Sequence, residues 1–317
     1  MTDSEYIAME KSTIVRSRKD PRLMPIIRAG HRVLSALAPA LAARRAERLF
    51  LTPPHARRPA AELALLATAR ARPMRVGARR IEVWTWGSGP SVLLVHGWGG
   101  RGTQLGAFVD PLVARGFSVV AFDAPGHGAA DGGQVTIPEM AAAIREVGEA
   151  VGPLAGLVAH SMGGACAALA LADGLPVGAA VFVAPPADLA GPAARFIETL
   201  GFSREAGAGM RRRIEQRVGR PFSAFDVTAL GPVSRTPLLV IHDRGDAEVP
   251  WQHGLVITRA WRNAELLLTD GLGHRRILRD PDVIANAVAF VAARAAERRL
   301  TPRPDADLVE SLPALAW

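Results

Sequence analysis

The stretch Gly156-Leu157-Val158-Ala159-His160-Ser161-Met162-Gly163-Gly164 runs from an apolar strand pattern straight into a serine, then two glycines, then the small-residue helix pattern Ala165–Leu171. A strand that turns this sharply into a helix forces the residue at the corner into a strained conformation, with its hydroxyl exposed at the end of the sheet. Small residues two before and two after the corner let strand and helix approach closely. Ala159 stands two before, where glycine is the usual residue, and adds one methyl. The same letters also suit a plain Ser-Gly turn capping a helix. The surroundings of the stretch decide between the two.

Outward from it, short apolar runs recur at Ser91–Val95, Ser118–Phe122, Ala179–Ala184, Leu238–Ile241 and Ala264–Leu268, bounded by Gly, Pro, Asp or His. Such runs read as parallel strands buried on both faces. Ile81, Val83 and Thr85 alternate with Glu82, Trp84 and Trp86 as a strand of period two. Helix-compatible segments fall at 104–115, 137–150, 162–172 and 250–261. Strand alternating with helix predicts an α/β, doubly wound, mostly parallel sheet. The roughly 50 residues between Ala184 and Pro237 exceed an ordinary crossover. Ala193–Leu200 and Gly207–Val218 are helical there, so a small helical cap is expected at about 186–235.

The chain has 317 residues and a net charge of +8. Residues 1–75 hold 15 Lys+Arg against 6 Asp+Glu, whereas the remainder is near neutral with 23 against 24. The excess therefore belongs to a basic N-terminal helical leader, expected over 1–72 ahead of a catalytic domain over 73–317. Residues 1–22 are polar and are expected to be irregular. Pro39 and Pro59 sit where first-turn prolines belong. No nucleic-acid motif accompanies the charge, so no nucleic-acid partner is expected. A solvated helix face is the simplest reading of the leader, and peripheral contact with an anionic membrane is the alternative. The first 25 residues lack an apolar secretory core. With Cys166 as the single cysteine, a reduced cytoplasmic setting is expected.

Three further loops follow strands. Val95-His96-Gly97-Trp98-Gly99-Gly100 can point backbone N–H groups at a developing oxyanion; with Ser161 as nucleophile, the donors are Trp98 and Met162. His96 reads as a brace for that loop. In His242-Asp243-Arg244-Gly245-Asp246, either aspartate could orient a histidine, and Asp246 is favoured because Asp243 lies near enough to the strand to make turn hydrogen bonds. His274 lies between Gly273 and Arg275, after the last strand. No Cys/His spacing suggests a metal and no glycine fingerprint suggests a dinucleotide, so neither metal nor cofactor is expected.

The order Ser161, Asp246, His274, together with His96-Gly97-Trp98-Gly99-Gly100 and Phe122-Asp123-Ala124-Pro125-Gly126-His127-Gly128, resembles the α/β-hydrolase superfamily over residues 74–295. The resemblance implies the fold and a Ser161–His274–Asp246 triad, but no substrate. Asp123 and His127 belong to the shared pattern as structural residues, and His127 precedes the nucleophile. The leading expectation is a serine hydrolase acting on a small-molecule carboxylic ester, with Trp98, Phe196, Phe202 and Met210 lining an acyl pocket. Alternatives keep the triad for cofactor-free perhydrolase or haloperoxidase chemistry, C–C hydrolysis or acyl transfer, or place a lipase at a membrane surface. The last is a non-catalytic binding protein on the same scaffold.

Overall fold

The computed structural model describes residues 23–55 and 57–300; the segment 1–22, expected to be irregular, and residues 301–317 lie outside it. The chain begins with α1 (Leu23–Leu37), α2 (Pro39–Phe50) and α3 (Ala60–Ala67), followed by β1 (Arg70–Val76), β2 (Arg79–Gly87) and β3 (Ser91–Val95). A 3-10 turn at Gly102–Phe108 leads into α4 (Val109–Ala114), then β4 (Ser118–Phe122), α5 (Ile137–Ala150), β5 (Leu154–His160), α6 (Met162–Ala172) and β6 (Ala180–Val183). The insertion carries α7 (Ala190–Leu200), α8 (Arg204–Val218) and the short α9 (Val227–Leu230). The chain returns through β7 (Leu238–Asp243), α10 (Gln252–Ala260), β8 (Ala264–Thr269), α11 (Gly273–Arg276) and α12 (Pro281–Leu300).

The eight strands form one sheet in the order β1-β2-β4-β3-β5-β6-β7-β8. β1 and β2 pair antiparallel, as do β2 and β4; the other pairs are parallel. The central strands are buried on both faces because their side chains alternate between two cores. Leu93 and Val95 of β3 join the core under α5, α6 and the insertion, while Val92 and Leu94 join the core under α4 and α12. Each fully buried leucine of this kind stabilises the fold by about 1.5–3 kcal/mol. Local signals agree with this packing. Thr136 and Glu139 form a reciprocal capping box at the start of α5.

Two expectations are corrected. The segment 104–115 is not one helix: the turn at 102–108 is 3-10, and regular helix starts at Val109. The expected boundary at residue 73 falls inside a strand. Arg70-Ala71-Arg72-Pro73-Met74-Arg75-Val76 pairs along its whole length with β2, from Arg70 opposite Thr85 to Val76 opposite Arg79. Its side chains are mostly exposed, so it carries no apolar alternation to betray it. A proline is tolerated there because the strand forms the edge of the sheet.

The leader packs on the body rather than standing apart. α2 lies against α8 so closely that a Cβ on Gly209 would stand 2.8 Å from the Ala43 Cβ. Arg213 pairs with Glu47 across this seam, and His31 of α1 bridges Leu200 O and Arg45. The outer side of α1 keeps Leu23, Ile26, Val33 and Leu37 exposed, with Leu41 of α2 beside them in sequence.

Candidate active site

Ser161 stands at the corner between β5 and α6 with φ 53° and ψ −128°, a strained conformation for a residue bearing a Cβ. The corner is held from both sides. The Ser161 N–H donates to Val183 O at 2.8 Å, and Ser161 O accepts from the Gly164 N–H at 2.8 Å. Gly163 is required by close approach: a Cβ there would stand 2.4 Å from His96 O. Ala159, in place of the usual glycine, is fully buried among the residues of the core.

β7 and β8 supply the other two groups at the same end of the sheet. The His274 Nδ1–H donates to Asp246 Oδ2 at 2.7 Å, and His274 Nε2 lies 2.9 Å from Ser161 Oγ. An ionised carboxylate only accepts, so Asp246 fixes the proton on Nδ1 and leaves Nε2 free to accept from the serine. Asp246 Oδ1 takes the N–H groups of Glu248 and Val249, each at 2.8 Å. Burial pushes the Asp246 pKa up, but the imidazoles of His242 and His274 and the Val249 N–H outweigh it and hold the carboxyl well below the usual range. Asp243 is placed otherwise. Its Oδ1 accepts from the Gly245 N–H at 2.9 Å, and its Oδ2 from the Thr269 hydroxyl and the Leu272 N–H at 2.8 and 2.9 Å. It thereby ties the end of β7 to the loop that carries His274.

Two histidines join the site that sequence reasoning passed over. The His160 Nε2–H donates to His274 O at 2.9 Å, and the two rings lie 4.7 Å apart. Burial takes the His160 pKa from 6.5 down to about 3, so it braces His274 as a neutral ring. His242 donates from Nε2 to Val249 O at 2.9 Å, with the same nitrogen 3.6 Å from Asp246 Oδ2. The signal was positional: one precedes Ser161 and the other is the last residue but one of the strand before Asp246.

The loop after β3 borders the serine closely, since a Cβ on Gly97 would stand 3.0 Å from the Ser161 Cβ. His96 is a buried brace. Its Nδ1–H donates to Gly97 O at 2.8 Å, and its Nε2 accepts from the Ala124 N–H at 2.9 Å. Burial lowers its pKa to about 4. Among the described residues, neither the Trp98 N–H nor the Met162 N–H donates to a protein acceptor. The Met162 N–H also opens a helix, whose N-terminal end favours negative charge. His127 donates to Pro125 O at 3.0 Å and meets the Trp98 ring edge-on at 5.2 Å. Asp123 receives the Gly102 and Ala129 N–H groups at 2.8 Å each.

The residues expected to line an acyl pocket lie apart from one another. Met210 is 1% exposed, and Phe202 stacks on His31 with centroids 4.0 Å apart. Phe202 borders a cavity of about 590 Å³ between α1 and the insertion, lined also by Arg28, Arg32 and Glu198 and by none of Ser161, Asp246 and His274. Phe196 meets Phe50 edge-on at 5.1 Å. The insertion buries its apolar stripe against the leader helices, a partner that its own sequence does not disclose. Trp98 remains half-buried beside the serine loop. Cys166 is buried with its thiol pushed up to about 12, an unreactive state. Among the described residues no cluster of three or more His, Cys, Asp or Glu is placed to hold a metal ion, and no helix is long and apolar enough to cross a membrane.

An eight-stranded α/β sheet with a serine, a histidine and an aspartate in line at its strand ends defines a hydrolase class, and comparison with known families agrees. The family model described as the alpha/beta hydrolase family matches residues 92–287, and the chain belongs to that family. Similar solved structures include a proposed lipase from Acinetobacter baumannii AYE, with TM-score 0.59 and 19% identity over 75% of this chain and 95% of that one. A monoacylglycerol lipase from Paleococcus ferrophilus gives TM-score 0.54 and 20% identity over 68% and 99% of the two chains. A thermophilic esterase from Thermogutta terrifontis gives TM-score 0.55 and 19% identity over 72% and 99%. At such identities the likeness is one of fold. A search of curated protein sequences returns no match.

Proposed function

We propose that the chain hydrolyses carboxylic esters of small molecules through an acyl-enzyme. The observation that carries this reading is the continuous line from Asp246 through His274 to the Ser161 hydroxyl, at 2.7 and 2.9 Å. His274 Nε2 takes the Ser161 proton as Oγ bonds to the acyl carbon, and the carbonyl π pair moves onto oxygen. The Trp98 and Met162 N–H groups bind that oxyanion, each contributing about 3 kcal/mol to the transition state. Collapse breaks the bond to the alkoxy oxygen, which leaves as alcohol with the proton from His274. Water, deprotonated by His274, then attacks the acyl carbon; the bond to Ser161 Oγ breaks, Oγ takes the proton back from His274, and the acid leaves. No cofactor enters these steps. The sole cysteine, buried and unpaired, fits a reducing cytoplasmic setting.

The test is labelling with a fluorophosphonate, followed by mapping of the modified residue and assay on short-chain p-nitrophenyl esters. Modification of Ser161 with ester turnover supports the reading; modification without turnover of any ester moves the chain to perhydrolase, C–C hydrolase or acyltransferase chemistry. An unlabelled Ser161 sinks both and favours a binding protein.

A second reading places the ester in a lipid surface. The exposed stripe of Leu23, Ile26, Val33 and Leu37 on α1 favours it, as does the exposed row Leu41, Arg44, Arg45 and Arg48 on α2. Apolar side chains beside cations suit an anionic bilayer. Binding to phosphatidylserine vesicles that weakens with salt, and that Ile26→Glu with Val33→Glu abolishes, supports this reading. Equal binding by that variant removes it.

A further inference from the structure

The oxyanion loop is gripped from outside by the leader. Gly97 O accepts from the Gly100 N–H at 3.0 Å, closing a turn around Trp98 and Gly99. Gly99, at φ +66°, forms the outer corner of that turn and lies against Pro54; a Cβ there would stand 2.7 Å from Pro54 Cγ. Just past the turn, Glu62 of α3 receives both Nε and an Nη of Arg101 at 2.5 Å, and also the Thr103 hydroxyl at 2.5 Å. Arg58 donates to the Thr103 hydroxyl at 2.9 Å and to Asp123 Oδ2, while its guanidinium lies over the Trp84 ring at 4.9 Å. Asp123 in turn holds the Gly102 N–H. Glu62 is 8% exposed, so the charges of this network are shielded from water and its geometry is tightly held.

We infer that Arg58 and Glu62, with Pro54 at the corner, are positioning residues that set the direction of the Trp98 N–H. The inference rests on the proposed acyl chemistry for its kinetic consequence, but not for its structural one. His96 fixes the entrance of the loop from within the core. Its exit is held from two sides: Gly102 lies against the Phe122 backbone and gives its N–H to Asp123, while the side chains of Arg101 and Thr103 turn to the leader. The leader is therefore part of the catalytic apparatus. A donor misaimed by an ångström can lose as much as a hundredfold in rate while substrate still binds, so the signature is a fall in kcat with KM held.

The experiment uses the full chain, Glu62→Gln and Arg58→Lys, with kcat expressed per serine titrated by fluorophosphonate. Lysine keeps the charge of Arg58 but loses its fork. The expected result is a fall in kcat per active serine of about tenfold or more with KM within about twofold. Hydrogen exchange over residues 97–103 should quicken in both variants while exchange in β5 and β6 stays as in the wild type. A role confined to stability would lower the fraction of titratable serine and leave kcat per titrated serine unchanged, and that result overturns the inference. Unaltered exchange over 97–103 overturns it as well, whether or not the wild type turns over an ester. A wild type that exchanges as expected but hydrolyses nothing supports the brace and refutes the proposed reaction instead.

Discussion

Asp246 and Asp243 stand three residues apart, both buried, and do different things. One carboxylate faces an imidazole; the other is filled by N–H and hydroxyl donors of its own turn. Asp246→Asn presents an amide where the Nδ1–H needs an acceptor, favours the wrong tautomer, and should lower kcat by about 10⁴-fold. Asp243→Asn should instead lower melting temperature by several degrees and reduce activity far less. Steady-state rates and thermal melts on both variants check this, and the reverse ranking would assign the acid to Asp243. The meeting of Ser161, His274 and Asp246 was legible because each follows an apolar run in one chain order. His160 and His242 were not, because a histidine inside a strand end has no pattern of its own. Only its neighbours show what it braces.

At the level of elements, the corner at Ser161 depends on absent atoms. Gly163→Val should leave little folded protein, since even a Cβ would stand 2.4 Å from His96 O; soluble yield and circular dichroism test it. Thr136→Ala removes the capping box of α5 and should cost about 0.5–2 kcal/mol in urea unfolding without touching ester turnover. The buried strands could be read because both faces are apolar. β1 could not: an edge strand with three arginines and one proline has no hydrophobic face to display. α12 is not among the expected helices either, although Asp280 caps the residues after Pro281 as a helix start. Phe202 and Met210 looked like pocket residues because apolar cap positions carry no record of whether substrate or another helix covers them.

Across the whole molecule, His96, His127 and His160 are buried as neutral rings, with pKa values lowered by burial to about 4, 3 and 3. In the unfolded chain each titrates near 6.5. Below that pH the unfolded state takes up protons that the folded state refuses, so stability declines as pH falls from about 6.5 towards 4 and is level above it as far as these groups are concerned. Asp246, held ionised, adds to the loss at the acid end. Melting temperatures should be flat from pH 7 to 8 and fall steadily towards pH 4; a rise over that range would contradict the neutral rings. Within the basic leader Arg45 and Arg58 find partners across elements, as does Glu62, while Arg44 and Arg48 stay exposed, and long-range partners are what composition cannot convey.

The edge made by β1 has one more consequence. An open sheet margin is a template on which a strand from another molecule can grow, and that is how many sheet proteins begin to form fibrils. Here Arg70, Arg72 and Arg75 line the margin, and Pro73 removes one donor from its middle. A second copy would have to bring its own arginines alongside, cation against cation, so concentrated solutions should stay free of ordered aggregates while this margin is intact.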